Sequence, residues 1–278
     1  DRSAPVLTDI TVLSGSWLTS SAQPVSGTVV DSGSGVQRVE YRTSSDGGLS
    51  YGAWQSFALS GTSFTGTVVF NDGVNNRMQI RAMDNAGNLS SETAHEQIVW
   101  VDTTSPTLDA ITSPLDTPLV NGMNDFAVSI LASDIGSGLE SAQLSASSTF
   151  SSILVETDSF IDAEASLLVP AASISALGAA GSSTNVRLYL RIRDNAGRFS
   201  TTSTVNLTLD RKDPGGSFLS HANGTLVNKT INLSGTASDE NGLGALGTSF
   251  QVYNRNIDTW ETASSGSIGG EAAAWAIT

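Results

Sequence analysis

Three short phrases recur along this chain in one order and at one interval, and that recurrence limits its fold more than any other feature. The first is VVDSGSGVQRVEYR from Val29, echoed by LASDIGSGLESAQLS from Leu131 and more faintly by GTASDENGLGALGTSFQVY from Gly235. Their aspartates, Asp31, Asp134 and Asp239, stand 103 and 105 residues apart. The second is Asp-Asn-Ala-Gly, in RAMDNAGNLS and RIRDNAGRFS, with Asp84 and Asp194 110 residues apart. The third is DRSAP at the start, then VDTTSP and LDRKDP, whose prolines Pro5, Pro106 and Pro214 are spaced 101 and 108. A period slightly above 100 is too long for a solenoid repeat and suits tandem two-sheet sandwiches. On this basis the chain divides at 1–103, 104–212 and 213–278. The third unit ends before any counterpart of Asp84 or Asp102. It is expected to be partial, with strands supplied by a continuation or by another chain.

Period-two alternation fills each unit. Met78, Ile80 and Ala82 alternate with Arg77, Gln79 and Arg81, and Leu188, Leu190 and Ile192 form a similar row. Such rows are strands with one buried face. Turn formers separate them: Asp46-Gly-Gly, Asn71-Asp-Gly and both Asp-Asn-Ala-Gly runs. The fold class is therefore all-β, with at most one helical turn near ASISALGAAG.

Charge excludes several functions. The 27 acidic residues outnumber 13 basic ones, for a net charge of −14, so no basic face awaits a phosphate backbone and nucleic acid is not an expected partner. There is no cysteine, which removes disulfides, zinc-thiolate sites and cysteine catalysis. No apolar run reaches the roughly 20 residues of a membrane span. Histidines number only two, His95 and His221, and no nucleophile elbow or phosphate loop is present. An enzyme is not expected.

The repeat markers carry the chemistry. In an immunoglobulin-like sandwich the second strand ends at the pole where the chain came in, and the loop between the last two strands lies there too. The preceding domain's final strand delivers its end to the same place. Topology thus gathers Asp102, Asp134 and Asp194 at one joint, and Asp1, Asp31 and Asp84 at the leading pole of the first unit. Asp210, Asp213 and Asp239 would meet at the second joint. Three converging carboxylates repel unless a cation joins them, and Ca2+ takes 6–8 oxygen ligands of this kind. Asn85 and Asn195 could add oxygens. The competing expectation is local: Asp and Asn before Gly form turns and bond their own backbone. The ligand spacing is not that of an EF-hand.

GVQRVEYRTSSDGG with Trp54, then RMQIRAMDNAGNLS and VDTTSP, resembles the bacterial immunoglobulin-like repeats of large secreted and cell-surface proteins, adhesin-type stalk repeats among them. The resemblance implies a tandem β-sandwich stalk, extracellular or on the cell surface, with calcium at its joints and neighbouring domains as first partners. Other surface proteins or glycans would be its outside partners. The alternative is a carbohydrate-binding array or the accessory domains of a secreted enzyme. Trp17, Tyr51, Trp54, Trp100, Trp260 and Trp275 are its candidate sugar platforms; the bland expectation for Trp54 and Trp100 is core or sheet packing.

Overall fold

The computed structural model describes residues 1–91, 95–219, 233–241, 251–254, 259–262 and 272–277. Its strands fall into three sets. In the first, β1 (Val6–Thr8), β3 (Ala22–Val30), β7 (Ser63–Val69) and β6 (Ala58–Ser60) form one sheet in that spatial order. The facing sheet runs β2 (Trp17–Leu18), β9 (Gln97–Val101), β8 (Gly73–Asp84), β4 (Val36–Ser44) and β5 (Gln55–Ser56). In the second set, β10 (Thr107–Ser113), β12 (Phe126–Ser133) and β15 (Glu164–Val169) face β11 (Leu119–Val120), β17 (Ser203–Asp210), β16 (Ser183–Asp194), β13 (Leu139–Ser145) and β14 (Ile153–Thr157). Each set is an immunoglobulin-like β-sandwich, antiparallel but for one short parallel pair, β2 with β9 and β11 with β17.

The third set repeats part of this plan. β18 (Gly215–Phe218), β19 (Leu233–Ser238) and β22 (Ala272–Ile277) pair in the order of β10, β12 and β15, while β20 (Gln251–Asn254) and β21 (Thr259–Thr262) form a hairpin like β13 with β14. His221 lies outside the described residues.

The alternating rows dictate the cores. Met78, Ile80 and Ala82 of β8 are fully buried among Val25, Val29, Val39, Val68 and Val99. Leu188, Leu190 and Ile192 of β16 pack with Val128, Ile130, Leu144, Leu167 and Leu207. The second unit differs between β15 and β16, where a short helix α1 (Ala171–Ser175) drops Ile174 into the core with no exposed surface.

Period two also buries the aspartates. Asp84 is the next inward position after Ala82, and Asp194 the next after Ile192, so each inward row ends in a fully buried carboxylate at the pole. The core and the candidate site are thus built by the same strand. The two cores are separate clusters, so Ile80→Ala and Leu190→Ala should each cost about 2–5 kcal/mol in their own unit. Calorimetry should show one transition moving for each variant; coincident movement of both would contradict separate cores.

Candidate metal centre

Two carboxylate groups stand out. Ligand oxygens of Asp1, Asp31 and Asp84 lie within 4.8 Å of one another, and so do those of Asp102, Asp134 and Asp194. The fold brings together six of the residues the sequence singled out. Among the described residues Asp210, Asp213 and Asp239 do not form a third such group.

Every aspartate in these groups holds its own loop with one oxygen. Asp134 Oδ2 accepts the backbone N–H groups of Gly136 (3.1 Å) and Gly138 (2.6 Å). Asp194 Oδ1 accepts from the Arg198 backbone (2.8 Å). Asp102 arrives from β9, takes Thr104 N–H and hydroxyl on Oδ1 (3.0 and 2.7 Å), and takes Ser137 N–H of the β12–β13 loop on Oδ2 (2.7 Å). The leading site repeats these bonds: Ser3 and Ser34 N–H to Asp1, Gly33 and Gly35 N–H to Asp31, Ala86 and Asn88 N–H to Asp84. These are the turn bonds expected of the residue type.

Turn chemistry leaves three oxygens over. Asp31 Oδ1, Asp134 Oδ1 and Asp194 Oδ2 are buried and accept no hydrogen bond from the described residues. A buried, ionised and unpartnered carboxylate oxygen is costly. Burial pushes the Asp194 carboxyl above the ordinary range, and the charges of Asp102 and Asp134 push it further. Asp84 also feels burial, but donors from Asn88, Ser34 and Ala86 outweigh it and hold this carboxyl below the ordinary range. Asp102 behaves likewise: Ser137 and Thr104 outweigh its burial.

Glycine permits the close approach. A methyl built on Gly136 would collide with the Asp102 carboxylate, and one on Gly33 with that of Asp1. Gly35 and Gly138 hold φ of 80° and 82°, the left-handed region that suits glycine. At the second joint Asn241 stands two residues after Asp239, the place of Gly136 after Asp134. The incoming Asp210 therefore cannot seat in the same way. It caps Lys212 N–H (3.1 Å), while Asp239 caps Asn241 N–H (2.9 Å); Asp213 is exposed.

Asn85 and Asn195 act as loop staples. Asn85 Nδ2 donates to the Ser34 and Gly35 carbonyls (2.9 and 3.0 Å), and Asn195 Nδ2 to those of Ser137 and Gly138 (2.9 and 3.1 Å). They lock the two carboxylate loops together. The sequence reading passed over position four after the loop aspartate. Asn88 gives its amide to Asp84 Oδ2 (2.7 Å), whereas Arg198 sends its side chain elsewhere. Aligning the two Asp-Asn-Ala-Gly phrases would have flagged this difference.

Trp17, Tyr51, Trp54 and Trp100 sit on the outer face of the five-stranded sheet of the first unit, not in its core. Trp17 and Trp100 pair across β2 and β9 with ring centroids 5.8 Å apart and planes tilted by 48°. Trp54 is covered by the guanidinium groups of Arg81 (3.9 Å) and Arg42 (4.5 Å), and Tyr51 donates to Glu96 (2.7 Å). Trp260 and Trp275 are on β21 and β22.

No protein-family profile matches the chain, and no curated protein matches it. Among solved structures it is similar to the fibronectin(III)-like modules of CbhA from Clostridium thermocellum, with 16% identity over 80% of this chain and 100% of that one and a TM-score of 0.39. The D00-D0 domain of Intimin aligns at 12% identity over 73% and 98%, TM-score 0.29. A putative membrane anchored protein from Corynebacterium diphtheriae aligns at 11% over 74% and 57%, TM-score 0.28. Similarities this distant carry no argument about function.

The two buried carboxyls should respond oppositely. Asp194, held high, favours the folded unit while protonated, and that contribution is lost as pH rises through its raised pKa. Asp84, held low, contributes above the ordinary carboxylate range and loses that contribution as pH falls through its lowered pKa. In chelator at neutral pH, Asp194→Asn should raise the melting temperature of its unit by a few degrees and Asp84→Asn should lower that of its own. Shifts of one sign in both would refute the contrast.

Proposed function

We propose that the chain is a non-catalytic stalk or spacer of tandem sandwiches, and that the group Asp102, Asp134 and Asp194 holds a calcium ion that stiffens its first joint. The observation that carries this reading is that two members of a trio whose ligand oxygens lie within 4.8 Å of one another each keep a buried oxygen without a donor among the described residues, Asp134 Oδ1 and Asp194 Oδ2. The donors are all carboxylate oxygens, with no nitrogen or sulfur ligand among them. Hard divalent cations take such sets, and calcium tolerates irregular ones. When bound, the ion would neutralise charge that the fold has already forced together. Asp1, Asp31 and Asp84 would form an equivalent site at the leading pole.

The chain's own residues make the joint. Asp102 belongs to the first unit through its N–H, which donates to Leu18 O (2.9 Å), and to the second through its carboxylate. Thr103 turns back to the first unit, donating N–H and hydroxyl to Asp72 (2.8 and 2.7 Å). Adjacent linker residues are thus held by opposite domains, and Pro106, three residues on, is buried. Such a linker leaves few free torsions. A stalk of this kind acts through length and stiffness, outside the cell or on its surface, presenting neighbouring domains of a longer chain. Among the described residues no helix is long and apolar enough to cross a membrane. The sugar-binding alternative draws less support, because the tilted Trp17–Trp100 pair offers no flat platform and one flank of Trp54 is taken by arginines.

Calcium at about 100 times its Kd should add roughly 2.7 kcal/mol to the stability of the second unit, a rise in melting temperature on the order of 10 °C. Gly136→Ala, which pushes Asp102 off its loop, should remove most of that gain while leaving the response of the first unit intact. Calorimetry with calcium and with chelator reads both. An unchanged thermogram on adding calcium to the parent protein sinks the reading.

A further inference from the structure

Arg198 occupies the place of Asn88 in the second Asp-Asn-Ala-Gly phrase, and the two side chains do different work. Asn88 serves its own loop, with Nδ2 on Asp84 Oδ2 at 2.7 Å and a long contact to Asp1 O at 3.4 Å. Arg198 crosses the joint. Its Nε donates to Asp102 O (3.2 Å) and its Nη2 to Thr19 O (3.0 Å), a carbonyl just past β2 in the first unit. Its backbone meanwhile closes the loop of the candidate centre: Arg198 N–H donates to Asp194 Oδ1 (2.8 Å), and Asp194 N–H donates to Arg198 O (3.1 Å). One residue therefore touches the buried carboxylate, the linker and the body of the preceding unit.

We propose that Arg198 is the positioning residue of this joint, a strap that fixes the orientation of the first unit on the centre formed by Asp102, Asp134 and Asp194. The chemistry favours arginine specifically. A planar guanidinium spreads donors over a fixed fork and can serve two carbonyls at once, which a single ammonium on a flexible stem does poorly. Both of these side-chain bonds go to carbonyls and not to the carboxylates, so the strap does not occupy the oxygens proposed to hold an ion. Domains joined by a short linker otherwise move relative to each other by default. The coupling deepens the calcium reading and rests on it for one feature, the link between ion occupancy and orientation; the strap contacts themselves are independent of any ion.

The absence of cysteine makes the test direct. Spin labels at Thr62→Cys and Ser159→Cys, one exposed site on each unit, report the interdomain distance distribution, and calorimetry reports calcium binding. With calcium saturating, Arg198→Asn should widen the distribution at least about twofold while the calcium Kd changes less than about threefold, because the backbone bonds to Asp194 do not need the guanidinium. Arg198→Lys should recover at most part of the width. A folded second unit, checked by its own melting transition, is required of both variants; if either is unfolded, Arg198→Gln takes its place. An unchanged width in Arg198→Asn overturns the proposal. So does a widening that disappears when calcium is raised further, since Arg198 would then act only through ion affinity. Should the parent bind no calcium, the ion reading fails by itself, and the widths in chelator still decide whether Arg198 is the strap.

Discussion

Each converging aspartate must do two jobs with two oxygens, and the poles of both sandwiches depend on that division. One oxygen replaces the hydrogen bonds a tight loop cannot make internally, as when Asp134 Oδ2 collects the N–H groups of Gly136 and Gly138. The second oxygen of Asp31, Asp134 and Asp194 is then left buried without a donor among the described residues. A fold assembled only from turns would not leave it so, because a buried charge without a partner weakens the structure. The bonds that close the loops take the nearby backbone donors and leave these three oxygens without one. The turn description of Asp134 is therefore compatible with the proposed ligand set, because the bonds that close the loop engage Oδ2 and leave Oδ1 without a donor among the described residues.

The two complete units serve as controls for each other. Both carry the carboxylate trio, both staple the loops with an asparagine amide, and both close the last loop with a serine hydroxyl that accepts the N–H of Ala82 or Ile192. A further pair shows what the fold holds fixed and what it leaves free. Arg42 and Gln79 face each other across β4 and β8, and Gln143 faces Arg191 across β13 and β16. The guanidinium bonds the glutamine oxygen in each (2.9 and 2.8 Å), and the glutamine amide passes the chain to Glu96 or Glu156. The partners have exchanged strands, yet the outer face keeps the same network with an aromatic ring over the arginine, Trp54 in one unit and Phe150 in the other. What matters on that face is the cross-strand pair, not which strand supplies which member.

Much of this was legible in the sequence because period two is unforgiving. Once Ile80 and Ala82 are inside, Asp84 is inside as well, and its repeat at Asp194 follows from the same count. The positions of Asp102 and Asp134 came from topology, which needs only the strand order. Three features were not legible. The exposure of Trp100 and the covering of Trp54 by arginines depend on which face of a sheet meets solvent at an edge, and short apolar strands such as QIVWV do not announce it. The roles of Asn88, which serves its own loop, and of Arg198, which reaches across a joint, depend on side-chain length and direction, which no periodicity encodes. Asp210, Asp213 and Asp239 do not gather among the described residues; Asn241 stands where Gly136 admits Asp102, a close approach no spacing announces, and no third Asp-Asn-Ala-Gly phrase is present.

That third position shows how a repeat can keep its phrases and change its physics. Lys212 replaces Thr104 in the linker phrase, and its Nζ pairs with Glu240 at 2.6 Å. The hydrogen bond and charge of Glu240, with the charges of Asp239 and Asp210, hold the ammonium well above its ordinary pKa, so it stays charged among carboxylates throughout the neutral range. Asn241, in the place of the missing glycine, reaches back to Ser183 Oγ at 3.0 Å in the second unit. Arg211, the neighbour of Asp210, turns back as Thr103 does, with Nη1 on the Ser175 and Gly178 carbonyls (2.8 and 2.7 Å). The logic of alternate linker residues held by opposite domains survives intact. At this joint the chain supplies its own positive charge, on a half-exposed side chain whose pairing is screened by salt. The two consecutive joints therefore differ in their chemistry, with a buried carboxylate trio at the first and a half-exposed ion pair at the second.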